Sequence, residues 1–132
     1  MIPANLQKAS LQPEDREARW QLREANDCTV RATALALRMP YVVARAKLGQ
    51  LGRKPRRGFT FREPVVKALG FEALPEYSCR SWASVKASLP ATGAFVVRIR
   101  RHVFAVVDGV PSETDWSPRT QVRMVYAAPS QP

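Results

Sequence analysis

The sequence is poor in the residues that most often carry metal or redox chemistry. Its 132 residues include two cysteines, Cys28 and Cys79, and a single histidine, His102. A structural zinc site takes four Cys or His ligands, so a zinc module is excluded. Haem, copper and iron–sulfur centres are equally hard to build from three such residues, and no metal or other cofactor is expected. Two cysteines so far apart make a poor disulfide framework, least of all in a reducing compartment. No apolar run approaches the ~20 residues that a membrane span needs. The start, Met1 to Gln12, lacks the basic head and apolar stretch of a secretory signal, so the expected location is the cytoplasm.

Acidic residues are also scarce. Eleven Asp and Glu stand against 21 Lys and Arg, leaving a formal charge of +10. The densest basic cluster is Arg53, Lys54, Arg56 and Arg57, broken by Pro55, and a second holds Arg98, Arg100 and Arg101. Such a field attracts polyanions in a salt-dependent, weakly specific way. Solvated loop and edge-strand residues of a basic protein would read the same. No helix-turn-helix, zinc or RNA-stacking motif accompanies the clusters, so charge alone names no binding mode.

Hydrophobic residues, at 45% of the chain, are enough for a folded domain. The expected organisation is one domain over residues 13–128, with loosely held ends at 1–12 and 129–132. Pro13 suits the first turn of a helix reaching towards Glu24, with Glu14 and Asp15 at its positive end and Ala18 and Leu22 facing inward. Asn26-Asp27 then forms a capping pair before CTVRATALALRM, residues 28–39. This helix is apolar around most of its circumference, which places it in the interior.

Met39-Pro40 ends that helix, and an amphipathic one follows from Tyr41 to Leu51, closed by Gly52. Thr60 and Glu63 have capping-box spacing for a helix ending at Leu69-Gly70. Ser81 caps a short helix bearing Trp82, Val85 and Leu89. Cys79, in the loop before it, is read as a packing residue. After Pro90 the period changes to that of strands, at Phe95 to Ile99, His102 to Val107 and Gln121 to Tyr126. Asp108-Gly109 is a hairpin signal, with a return strand from Val110 to Trp116. Helices followed by antiparallel strands make an α+β fold, its buried central helix packed on a C-terminal antiparallel sheet.

One constellation in this pattern can do chemistry. A cysteine at a helix N-terminus has its thiolate favoured by unpaired amides and the helix dipole. Attack on a carbonyl needs a base beside it, and His102 is the one candidate. If Asp108 and Gly109 are the turn, Val107 pairs with Val110, Val106 with Pro111, and His102 falls opposite Asp115. Glu113 lies on the same face as the alternative acid. A one-residue bulge would exchange faces, and Pro111 makes irregularity plausible.

These residues, in the segments NDCTVRATALAL (26–37), PYVVARAKL followed by GRKPRRGF, and FVVRIRRHVFAVVDG (95–109), resemble papain-like cysteine peptidases. The likeness is to the compact form found among short bacterial and phage proteins, and it covers most of the chain from Asn26 onward. It implies Cys28 as nucleophile, His102 as general base and then acid, and Asp115 as the residue that orients the imidazole. It also implies an oxyanion hole of the Cys28 amide and an upstream side-chain amide, Asn26 first and Gln21 second. Trp116 is similar to the aromatic that shields the orienting residue from water. The implied substrate is a peptide or protein, acidic if the positive surface faces it, cleaved at a peptide or isopeptide bond. A catalytically silent scaffold that binds protein or nucleic acid through Arg53, Lys54, Arg56 and Arg57 is the alternative. Two features depart from the family pattern. An inward Asp27 carboxylate would raise the neighbouring thiol, and Arg101 stands where such relatives have glycine in a tight turn.

Overall fold

The structure, a computed structural model, describes residues 11–113 and 116–129. The expectations for residues 1–10 and 130–132 therefore lie outside the described residues. Five helices precede or interrupt the strands: α1 (Pro13–Gln21), α2 (Cys28–Leu37), α3 (Tyr41–Gln50), α4 (Glu63–Ala68) and α5 (Trp82–Ser88). Five strands, β1 (Glu72–Ala73), β2 (Ala94–Ile99), β3 (His102–Val107), β4 (Val110–Pro111) and β5 (Met124–Ala127), form one antiparallel sheet. Its spatial order is β1-β5-β2-β3-β4. The fold is α+β.

The ends of four of the five helices share one device. After α2, the Met39 N–H donates to the Ala34 carbonyl and the Arg38 N–H to that of Leu35, with Arg38 left-handed at φ 55°. This is the Schellman arrangement, whose left-handed position ordinarily belongs to glycine. It recurs after α1 with Arg23 (φ 53°), after α3 with Gly52 (φ 114°) and after α4 with Gly70 (φ 83°). The first helix thus stops at Gln21 and the second at Leu37, each short of its expected end. One further expectation fails at a helix start. The Thr60–Glu63 capping box does not form, because α4 begins at Glu63 with Arg62 as its cap and no side-chain capping bond. Ala18 and Leu22 do lie on the inner side of the first helix, both half-buried with Leu22 packed on the core, although no residue of α1 is fully buried. Ser81 does cap α5, its hydroxyl accepting the Ser84 N–H at 3.2 Å.

Both faces of the sheet are covered. On one, Val30, Ala34, Leu37, Tyr41, Leu48 and Phe61 pack against Val96, Val103, Ala105 and Val107. On the other, Trp82 and Val85 of α5 pack against Phe95, Val97, Phe104 and Val106. Burial on both sides explains why β2 reads AFVVRI, with apolar residues at five of six positions. Tyr41 N–H, at the start of α3, donates to the Asp15 carboxylate of α1 at 3.0 Å, so one helix caps another.

The hairpin forms as expected over two pairs, Val107 with Val110 and Val106 with Pro111. Asp108 and Gly109 are both left-handed, at φ 50° and 82°, as the favoured two-residue turn requires. The ladder then stops. Ser112 N–H donates to the Ala105 carbonyl at 2.7 Å, while its hydroxyl accepts the Ala105 N–H at 3.0 Å. A side chain has taken the place of a backbone carbonyl, and the return strand ends at Pro111 rather than Trp116. The last strand is likewise shorter than expected, reaching from Met124, with Gln121 making an isolated bridge to Ser81. No helix among the described residues is long and apolar enough to cross a membrane.

Candidate active site

Cys28 is the first residue of α2 and is half-buried; His102 is the first residue of β3. Packing α2 across β2 and β3 brings the thiol and the imidazole to one cleft, near enough for each to shift the titration of the other. On its far side, His102 Nε2 lies 2.9 Å from both carboxylate oxygens of Glu113. With Nε2 committed to Glu113, Nδ1 is the ring nitrogen left for the thiol. The Trp116 ring packs against the imidazole at 5.2 Å between centroids and against Phe104 at 6.0 Å. Asp115, the expected orienting acid, lies outside the described residues.

The electrostatics suit an ion pair. Burial pushes the Cys28 thiol up, but the hydrogen bond to His102, one from the Val103 backbone and the imidazolium charge outweigh it. The thiol sits below its ordinary range. His102 is raised to about 9, chiefly by its hydrogen bond with Cys28 and then by Glu113, against a smaller opposing effect of burial. The lowered thiol and the raised imidazole both favour thiolate beside imidazolium.

Asp27 does not act on the thiol as its sequence position suggested. Its carboxylate, 1% exposed, is held by Arg19 Nε at 2.5 Å and Nη2 at 3.0 Å, by Arg31 Nε at 3.2 Å and by the Tyr41 hydroxyl at 2.6 Å. Burial would raise it, yet the hydrogen bonds from Arg19 and Tyr41 win and its pKa is lowered. Two guanidiniums meet this charge directly.

Of the two amides expected near the oxyanion, Asn26 lines the cleft beside Cys28. It is left-handed (φ 52°), and its Nδ2 donates to the Arg56 carbonyl at 3.2 Å, leaving one amide hydrogen unused by that bond. Gln21 is a correction. It is exposed and does not line the cleft, because its amide is turned back along α1 to donate to Glu17 at 3.0 Å.

The basic loop needs a correction too. Arg53 is buried, its side chain 2% exposed, with Nη2 and Nη1 at 3.0 and 3.1 Å from the Glu24 carboxylate. Arg45 Nε at 2.5 Å and the Arg56 backbone N–H at 2.9 Å complete the shell around Glu24. Arg53 thus fastens its loop to the segment before Cys28 and presents no charge to a polyanion. Lys54, Arg56 and Arg57 are exposed. Cys79, read as a packing residue, is exposed with a left-handed backbone (φ 64°).

Cys28 stands between two clefts. One, of about 700 Å³, is bordered by Asn26, Phe59, Arg98, Arg101 and His102. The other, of about 380 Å³, is bordered by Arg16, Trp20, Val103, Phe104 and Glu113. Sequence reasoning passed over Arg98 and Arg19 as cleft residues; the signal for the first was a charge inside an otherwise apolar strand. Among the described residues no cluster of three His, Cys, Asp or Glu could hold a metal ion.

Fold and site together define an α+β protein with a cysteine–histidine–glutamate cluster at the meeting point of two clefts. No family model matches the chain, and comparisons with curated proteins and with solved structures give no match.

Proposed function

We propose that this protein is a small thiol hydrolase of the papain-like kind, cleaving a peptide or isopeptide bond. The observation that carries the reading is the single imidazole that shares a cleft with the thiol heading α2 and is held from its far side by the Glu113 carboxylate at 2.9 Å. Cys28 Sγ attacks the substrate carbonyl carbon, and the C–S bond forms as the carbonyl π electrons move to oxygen. The Cys28 N–H and Asn26 Nδ2 hold that oxyanion, where one donor is typically worth about 10²–10³ in turnover. His102 gives its proton to the leaving nitrogen as the C–N bond breaks. It then takes a proton from water, which attacks the thioester and releases the acid and the thiol. Glu113 keeps the ring oriented through both steps, and Trp116 walls it from solvent.

The test is alkylation by iodoacetamide at pH 6, followed residue by residue. A thiol at the ordinary 8.5 is only about 0.3% ionised there. Cys28, its thiol lowered, should label faster than the more exposed Cys79, even allowing for the weaker nucleophilicity of a low-pKa thiolate. His102→Ala should abolish the advantage. Equal labelling of the two cysteines in the wild type refutes an activated nucleophile.

A binding factor is the second reading, favoured by exposed Lys54, Arg56 and Arg57. Salt-sensitive DNA binding that survives Cys28→Ala and vanishes when those three are neutralised would support it over hydrolysis.

A further inference from the structure

The larger cleft contains a cation with no side-chain partner among the described residues. Arg98 lies in the interior of β2, opposite Val103 on one side and Met124 on the other. Alternation puts it on the same sheet face as Val96, whose side chain belongs to the helix-side core. From there it borders the cleft that holds Cys28 and His102. Its Nε is buried and has no hydrogen-bond partner among the described residues. No carboxylate among them lies within ion-pair distance of Arg98 or of Arg101, which stands exposed on the same cleft beside His102. The other guanidiniums here, Arg19 and Arg31, are engaged by Asp27.

A buried donor left unmatched disfavours the free protein, and a ligand that matches it recovers the loss on binding. The planar guanidinium fits a carboxylate, which accepts two parallel N–H bonds where a neutral amide accepts one. We infer that Arg98, supported by Arg101, is a specificity residue that binds a substrate carboxylate in the larger cleft, close to the bond attacked by Cys28. The inference rests on the thiol-hydrolase reading and names the class of substrate for that site, an acidic peptide. The carboxylate belongs either to an Asp or Glu side chain or to the end of a peptide chain.

Short peptides carrying an acyloxymethyl ketone that alkylates Cys28 separate these sources. One set has a capped N-terminus and places Glu, Gln or Lys at each of three positions; a second, of peptides without the ketone, compares a free C-terminal acid with its amide as competitors of that labelling. Labelling of Cys28 is followed by intact mass. In the wild type, one carboxylate-bearing peptide should react about 10- to 100-fold faster than its neutral twin, as expected for a charge-assisted pair. In Arg98→Gln that ratio should fall below about 3. In Arg98→Glu the preference should pass to the peptide with Lys at that position. Arg101→Gln, at an exposed site that does not threaten folding, should reduce the ratio partially. Ratios within about twofold at every position, a preference that persists in Arg98→Gln, or no labelling by any peptide while iodoacetamide still modifies Cys28, would each overturn the inference. Failure of iodoacetamide to favour Cys28 over Cys79 is a separate result, and it removes the hydrolase reading itself.

Discussion

Replacing Glu24 with Gln is the sharpest probe of how the site is supported. The Glu24 side chain is fully buried and accepts from Arg53, Arg45 and the Arg56 backbone. Burial raises its carboxyl, but the hydrogen bonds from Arg53 and Arg45 outweigh that effect, and the pKa falls from 4.5 to about 2. A displacement of this size corresponds to about 3 kcal/mol of folding stability at neutral pH. The variant leaves the nearly buried Arg53 charge without its counterion, a change that typically costs about 3–5 kcal/mol. Urea denaturation at pH 7 should therefore show a loss near 3 kcal/mol, and thermal unfolding a drop on the order of 10 °C. The pH dependence separates the ion pair from a mere packing defect. A carboxylate with a depressed folded pKa stabilises above its unfolded value and loses that effect as pH falls through the folded one. The gap between wild type and variant should thus be full above pH 4.5 and close as pH drops towards 2. A loss below about 1 kcal/mol at pH 7, or a gap of equal size at pH 7 and pH 3, would refute the assignment of Glu24 as an ionised anchor.

Glu113→Gln should bring the His102 midpoint down from about 9 towards 6.5, followed directly by NMR because the chain has one imidazole. Since the folded value is raised, the stabilisation from this ring is complete below 6.5 and disappears as pH climbs through about 9, and the variant should show less of it. An unchanged midpoint would count against the Glu113 contact. Arg38→Gly should raise stability by up to about 1 kcal/mol in urea, because glycine takes the left-handed backbone freely and the 3.9 Å contact of Arg38 with Asp108 is half-exposed and weak. Any destabilisation would mean that this contact outweighs the backbone strain.

Much of this architecture was legible in the sequence because local chemistry and tertiary context agreed. Gly52 and Gly70 announced two helix ends, and Asp108-Gly109 announced the hairpin and its first two pairs. Arginine announces nothing, so the same terminal motif at Arg23 and Arg38 leaves no local signal, and both helices end earlier than their residue pattern suggests. The hairpin arithmetic held only while backbone bonded to backbone. When the Ser112 hydroxyl accepted the Ala105 N–H, the ladder ended, and Glu113, the alternative acid, met His102. Arg53 looked like one more member of a basic run; only the fold reveals Glu24 across from it, 29 positions upstream. Cys28 and His102 were conspicuous through the scarcity of their kinds. Arg98 stands out as the one charge in an apolar strand, but nothing local to the strand says which cleft it borders.

Among the described residues, four of the seven non-glycine positions with left-handed backbones are arginines, at 23, 38, 56 and 101. Adaptation to heat would favour glycine at each, and each exchange would strip away one positive charge, together reducing +10 to +6. Thermal hardening and cationic character thus pull in opposite directions in this chain, and a laboratory selection for the former alone should erode the latter first at these bends.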